Sequence, residues 1–379
     1  MNYENKQDRN GGLEQWITFH ETMAQPAIWR SWGEPLNAIS EPVSAWLKSR
    51  DHDEVWFCGA GSSAFIGDAL AASLNRPGAR TRYRSIPTTD LVSCPASYLP
   101  ATGRILAVSF GRSGDSSETI GTLDLLDAHL PQADRLHFTC NPQGILANRK
   151  PKGPGEQKVV LLPEATNDRG FAMTSSYSTM LLSALACLDD ARPLPIAQAL
   201  NDLADAGERI LRDAITHAAG SRRPSRAVFL GSGALAAAAR ESALKVLELA
   251  QGQIPTLWDT TLGFRHGPKA IADAGTRIHV FISGTAHTSR YDLDAVGELR
   301  AQFGDECVVV LGSKGTDADI AIPVIGNDAW TLVLHVLVAQ IQAIVWSDSL
   351  KVNVDNPFVD GNLSRVVSGV ALYPYAGVR

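Results

Sequence analysis

The chain lacks the marks of several large protein classes. Its five cysteines, Cys58, Cys94, Cys140, Cys187 and Cys307, are odd in number, scattered, and nowhere at C-x-x-C or another metal-ligand spacing. Neither a disulfide framework nor a metal site is expected, and such cysteine usage suits a reducing cytoplasm. Lys and Arg total 34 against 40 Asp and Glu, with no basic tract. Without a basic excess to neutralise a phosphate backbone, no nucleic-acid partner is expected. The start, MNYENKQDRNGG, has no secretory apolar run. The most apolar stretch, Trp330 to Trp346, carries His335, Gln340 and Gln342. It is shorter than the ~20 residues a bilayer requires, so it reads as a buried helix and no membrane association is expected. No Gly-Lys-Ser/Thr follows a glycine loop, and no full G-x-G-x-x-G precedes an acidic ribose partner. Nucleotide and dinucleotide cofactors are therefore not expected.

Organisation comes from repetition. Leu13, Trp16, Ile17, His20, Met23 and Ala24 keep a helical period, with Pro26 closing that first segment, so residues 1–50 read as a helical arm. From Glu54 short β-rich runs alternate with helical segments, the pattern of parallel sheets with crossover helices. Strands are expected at Val55 to Cys58, Arg104 to Phe110, Leu136 to Cys140 and Val159 to Leu162, then at Ala227 to Leu230, Arg277 to Ser283, Val308 to Leu311 and Ile320 to Ile325. Gly59 and Gly231 stand 172 positions apart, as do Leu136 and Val308, while Ser109 and Ser283 stand 174 apart. A near-constant offset predicts a duplicated α/β unit. The fourth pair, Val159 and Ile320, is only 161 apart because the first half holds an extra polar loop over Asn148 to Gln157. The expected architecture is two tandem doubly wound parallel-sheet sandwiches, residues 51–218 and 219–379, behind the arm. Ligands of such sheets bind beyond the carboxyl ends of the strands.

Two turns at those ends attract attention. Gly59-Ala60-Gly61-Ser62-Ser63 joins the first strand to an apolar helix, and glycines there let backbone N–H groups approach an anion, although a ligand-free tight turn has the same sequence. Ser109 to Thr119 (SFGRSGDSSET) offers hydroxyls, N–H groups and the cation Arg112. That donor set suits a phosphomonoester; alternatively Ser116 or Ser117 merely caps the following helix. In the second half, Glu241, Lys245 and Glu248 fall at i, i+4 and i+7 on one helix stripe among Ala, Leu and Val. A surface ladder would have polar neighbours, so a buried lysine between carboxylates marks a candidate site. His266 follows in a turn between glycines, Leu262 to Lys269. A phosphate cradle, carboxylates, a lysine and a histidine together suit proton transfers on a phosphorylated sugar.

These residues carry a resemblance. GAGSS at Gly59 to Ser63, the loop Gly111 to Thr119, ESALKVLE at Glu241 to Glu248, FRHGP at Phe264 to Pro268 and NPFVDGNLSRVV at Asn356 to Val367 resemble the sugar isomerase (SIS) family with tandem SIS domains. A narrower resemblance is to bacterial tagatose-6-phosphate ketose/aldose isomerases, also described as galactosamine-6-phosphate deaminases. Its marks are ETMAQPAIW at Glu21 to Trp29, PEATNDRGFAMTSSYSTM at Pro163 to Met180, and Ser289 to Asp294.

The resemblance implies a cofactor-free and metal-free enzyme acting on a phosphorylated hexose or hexosamine. It implies Ser113 and Ser116 as phosphate ligands with Ser63 adding a hydroxyl, and it places Thr174 and Ser175 among the substrate-binding candidates. Arg112 stands where synthase-type members carry glutamine and Gly111 where they carry a serine, so the roles of Ser109, Arg112 and Ser117 stay open. Glu248 matches the base that moves a proton between the first two carbons, with Glu241 and Lys245 as its companions. His266 matches the ring-opening histidine, and Arg365 stands where the synthase-type members carry an active-site lysine. A homodimer with a shared active site is likewise implied. Two alternatives remain: a non-deaminating aldose/ketose isomerase, and a phosphosugar sensor. The sensor would need an output domain, and the arm has no helix-turn-helix signature.

Overall fold

The structure, a computed structural model, describes residues 12–377 except 100, 194, 360, 362 and 368. Residues 1–11 of the expected arm, and Asp360 and Asn362 of the tail motif, lie outside the described residues.

The arm is a single helix, α1 (Ile17–Arg50), which corrects the expected stop at Pro26: the helix runs through Pro26, Pro35 and Pro42. A proline inside a helix normally leaves the carbonyl four residues back without its donor. Here that carbonyl belongs to Thr22, and the side-chain amide of Gln25 reaches it at 3.3 Å. Burial of Trp29, Trp32 and Leu36 on the same helix supplies the packing that offsets the weakened ladder.

The first half runs β1 (Glu54–Cys58), α2 (Ser62–Leu74), β2 (Arg82–Ser85), α3 (Thr88–Ser93), β3 (Ile105–Gly111), α4 (Ser117–His129), β4 (Asp134–Thr139), α5 (Ile145–Asn148) and β5 (Gln157–Leu161). Helices α6 (Ser175–Leu188) and α7 (Ile196–Gly220) lead into the second half. That half runs β6 (Arg226–Gly231), α8 (Ala234–Leu249), β7 (Thr256–Asp259), β8 (Thr276–Phe281), α9 (Ala286–Phe303), β9 (Val308–Gly312), β10 (Ile320–Ala321) and α10 (Asp328–Ser349). Both sheets are parallel, with orders β2-β1-β3-β4-β5 and β7-β6-β8-β9-β10. The direction of strand progression reverses between β1 and β3, and again between β6 and β8. That is where such sheets bind ligands.

Each sheet has one strand more than expected. The additions, β2 and β7, are four-residue edge strands, RYRS and TLWD, whose polar content hid them. Arg82 and Thr256 stand 174 positions apart, so the duplication includes them. Strand β10 is shorter than expected, because Pro323 has no N–H to continue the ladder.

Helix α10 is long and apolar enough to cross a membrane, yet 94% of its most apolar window is buried inside the protein. It packs on α7 and α8, and α2 packs on α8, so helices from both halves share one core. Polar groups in that core are paired in series: Trp29 Nε1 donates to Ser178 Oγ (3.1 Å), Ser178 Oγ to Gln25 Oε1 (2.7 Å), and Gln25 Nε2 to Gln340 Oε1 (2.7 Å). After α10 the described residues return across the first half without regular structure. There Ser117 N donates to Val367 O (3.4 Å) and His129 Nε2 lies 3.1 Å from Tyr375 O.

Candidate active site

The turn after β1 is possible only with glycine. A Cβ on Gly59 would sit 2.5 Å from the backbone carbon of Ser63, and Gly61 has φ +55°. The turn after β3 is braced from outside: Asp115 accepts from Ile145 N (2.7 Å) and Asn141 Nδ2 (3.3 Å), and Asn141 Nδ2 also donates to Ser113 O (2.9 Å). Ser116 is the N-cap of α4, accepting from Thr119 N at 3.3 Å. The capping alternative therefore holds for Ser116, with the hydroxyl of Thr119 rather than a carboxylate as its partner.

Between these turns opens a cavity of about 630 Å³. Ser63, Arg112, Ser113 and Ser116 line one side, Lys245 and Glu248 of α8 another, and the tail from Leu363 to Val367 a third. Its apolar walls, Phe171, Met173 and Phe358, lie inside segments that carry the resemblance but are not singled out as site residues.

The Glu–Lys–Glu stripe is a buried network. Lys245 Nζ lies 2.8 Å from Glu248 Oε2 and 3.3 Å from Glu241 Oε1, and it donates to Ser62 Oγ at 2.9 Å. Ser62 in turn donates to Glu241 Oε1 at 3.0 Å. Glu241 is fully buried and off the cavity, Lys245 is almost fully buried at the cavity wall, and Glu248 reaches into it. Burial pushes the Glu241 carboxyl up to about 7, despite the pull of Lys245. Burial opposes the charge on Lys245, but its two carboxylates outweigh that and hold it above the ordinary lysine value. The lysine stays charged, and Glu248 is the carboxylate of the pair that faces substrate space.

Arg112 is buried and, among the described residues, has no carboxylate partner: it donates to the carbonyls of Phe171 and Ala172 (3.3 Å each) and Arg365 (3.4 Å). Burial and then the nearby charge of Arg365 lower its pKa. The Arg365 side chain is exposed, lines the cavity and makes no hydrogen bond among the described residues. Two adjacent cations with no direct ion pair to a carboxylate among the described residues suit an anionic ligand.

Other expected residues lie elsewhere. Ser117 does not line the cavity; its Oγ accepts from Val370 N at 3.3 Å and pins the tail. Thr174 and Ser175 also lie off the cavity. With Ser176 they donate to the buried carboxylate of Asp168, through Thr174 Oγ1 (2.8 Å), Ser175 Oγ (2.5 Å) and Ser176 Oγ (2.5 Å). Asp168 thereby fixes the loop whose carbonyls hold Arg112. His266 ends a one-turn helix (Gly263–His266) after β7, is exposed, and does not line the cavity.

Two sandwiches of the same strand order, with a serine-rich turn at the first switch point facing a buried Glu–Lys–Glu stripe, define the architecture of tandem sugar isomerase (SIS) domains. No protein-family model matches the chain. It is 42% identical over 372 residues, 94% of its length and 95% of the other's, to a Streptomyces coelicolor protein named provisionally as D-galactosamine-6-phosphate deaminase AgaS. It is 36% identical to the D-galactosamine-6-phosphate deaminase AgaS of Shewanella sp., over 94% of this chain and 92% of that one. The crystal structure of tagatose-6-phosphate ketose/aldose isomerase from Escherichia coli superposes with a TM-score of 0.84 at 34% identity, covering 95% of this chain and 97% of the other. The chain belongs to the AgaS family of SIS-domain sugar isomerases.

Proposed function

We propose that the chain converts galactosamine 6-phosphate and water to tagatose 6-phosphate and ammonia. The observation that carries this is the shared cavity: phosphate donors on the first sheet face Glu248 on the second half's helix, and the AgaS relatives are named for that substrate. Ser113, Ser116 and Ser63, with Arg112, hold the phosphate. His266 protonates the ring oxygen as the anomeric hydroxyl loses its proton, giving the open aldehyde. That carbonyl acidifies the proton on carbon 2, which Glu248 removes; Lys245 and Arg365 stabilise the negative charge developing on oxygen. Return of the proton to carbon 1 gives a ketimine at carbon 2, and water adds there and expels ammonia. The sequence moves protons and water and transfers no electrons.

A homodimer that shares its sites belongs to the same reading. His266 is exposed, and Leu247, Trp258 and Leu262 are exposed apolar side chains of the kind an interface covers. The E. coli structure's description supports a second reading, ketose/aldose isomerisation without ammonia release. The deciding experiment supplies purified protein with galactosamine 6-phosphate and tagatose 6-phosphate, without added nicotinamide or metal, and scores ammonia and sugar products. Ammonia and ketose in equal amounts support the deaminase. Turnover abolished by a chelator, or interconversion of hydroxy sugars alone, rejects it.

A further inference from the structure

The segment Ser289 to Asp294 has no part in the cavity. It lies on α9, and two carboxylates of α9 reach the turn that carries His266. Asp292 is fully buried. Ser232 Oγ donates to its Oδ1 at 2.6 Å and Ser283 N to its Oδ2 at 3.0 Å. Ser232 Oγ also lies 3.1 Å from the buried Thr261 Oγ1, two residues before the Gly263–His266 turn. Further along α9, Glu298 Oε2 lies 2.7 Å from Arg265 Nε, and Lys269 Nζ donates to Glu298 Oε1 at 2.6 Å. The turn is thus fastened at its root and on both sides of His266, while Phe264 is buried in the core beneath it. The His266 side chain makes no hydrogen bond among the described residues and is exposed. Everything that orients it is in its neighbours. Partly exposed ion pairs contribute little to folding, but one carboxylate gripping the residues on either side of a histidine restricts where that histidine points.

We propose that α9 is a positioning clamp for His266. Asp292, through Ser232 and Thr261, and Glu298, through Arg265 and Lys269, fix the turn and set the rate of ring opening without touching substrate. The inference rests on His266 being the ring-opening group. At the second sheet's switch point, where the first sheet opens a cavity, the Asp292 carboxylate fills the turn and ties it to α9.

The test measures kcat and KM on galactosamine 6-phosphate for Glu298→Gln, His266→Ala and the double variant. Glu298 is partly exposed, so its variant should fold, with thermal unfolding as the control; Asp292→Asn is a second arm. A misplacement near 1 Å predicts a kcat loss of about 10- to 100-fold for Glu298→Gln, with KM unchanged. In the His266→Ala background the same substitution should add no loss, because the clamp acts only through the histidine. Unchanged kcat for Glu298→Gln beside an impaired His266→Ala overturns the clamp, as does an additive loss in the double variant. Full kcat for His266→Ala removes the histidine's role, and the clamp with it.

Discussion

Ser62→Ala removes one oxygen that accepts from Lys245 Nζ at 2.9 Å and donates to Glu241 Oε1 at 3.0 Å. Glu241 is fully buried and Lys245 almost fully, so solvent replaces little of what is lost. A hydrogen bond to a charged group contributes about 1.5–3 kcal/mol, and two are broken. Glu241 and Lys245 remain 3.3 Å apart and partly compensate each other, which places the expected loss near the low end, about 3 kcal/mol. For a chain of this length each kcal/mol moves the thermal midpoint by about 1.3 °C, so the midpoint should fall by about 4 °C. Differential scanning calorimetry of wild type and variant under identical buffer measures it. The Ser62 hydroxyl is spent on Lys245 and Glu241, and the loop of Ser113 and Ser116 is untouched, so KM for the phosphosugar should hold while kcat falls as Lys245 shifts away from Glu248. A midpoint within about 1 °C of wild type, the effect of a surface substitution, would show that the network closes without Ser62 and would refute the reasoning.

Glu248→Gln should cost about 10²–10⁴ in kcat, the range of one positioned acid/base, with substrate affinity kept; isothermal titration with phosphosugar checks the second half. Ser113→Ala should instead raise KM and leave kcat near wild type, since its hydroxyl serves ground and transition states alike. Mixing His266→Ala with Glu248→Gln after subunit exchange should restore about one quarter of wild-type activity, because half the dimers are mixed and each holds one intact composite site. No recovery would put both residues in one subunit's site. Burial lifts Glu241 from 4.5 to about 7, so the folded chain keeps a proton that the unfolded chain releases across that window. The associated stability is complete below pH 4.5 and is lost as pH rises towards 7. Glu241→Gln should flatten the pH dependence of the thermal midpoint over that range.

Three strands in each half, β1, β3 and β4 and then β6, β8 and β9, were readable because buried parallel strands are continuous apolar runs, as in β3, where every position is buried. RYRS and TLWD were not, since a short edge strand with polar residues looks like loop. Pro26 misled for a local reason: the rule assumes the orphaned carbonyl goes unpaired, and Gln25 pairs it. In the site, the i, i+4, i+7 spacing exposed Glu241, Lys245 and Glu248, and serine between glycines exposed Ser113. The partnership of Ser62 with Glu241 spans 179 positions and depends on α2 meeting α8, which no window of sequence contains. Thr174 and Ser175 show the opposite failure, since a conspicuous hydroxyl cluster serves a buried aspartate instead of the ligand.

The returning tail gives the site a place in time. Both sheets and the Glu–Lys–Glu helix leave the ribosome before Phe358, Arg365 and Val367, yet those late residues form a wall of the cavity and one carbonyl that holds Arg112. A nascent chain stopped after α10 has every strand and no finished pocket. Catalytic competence therefore waits until the segment through Val367 has followed α10 out of the ribosome, although that segment adds no strand to either sheet.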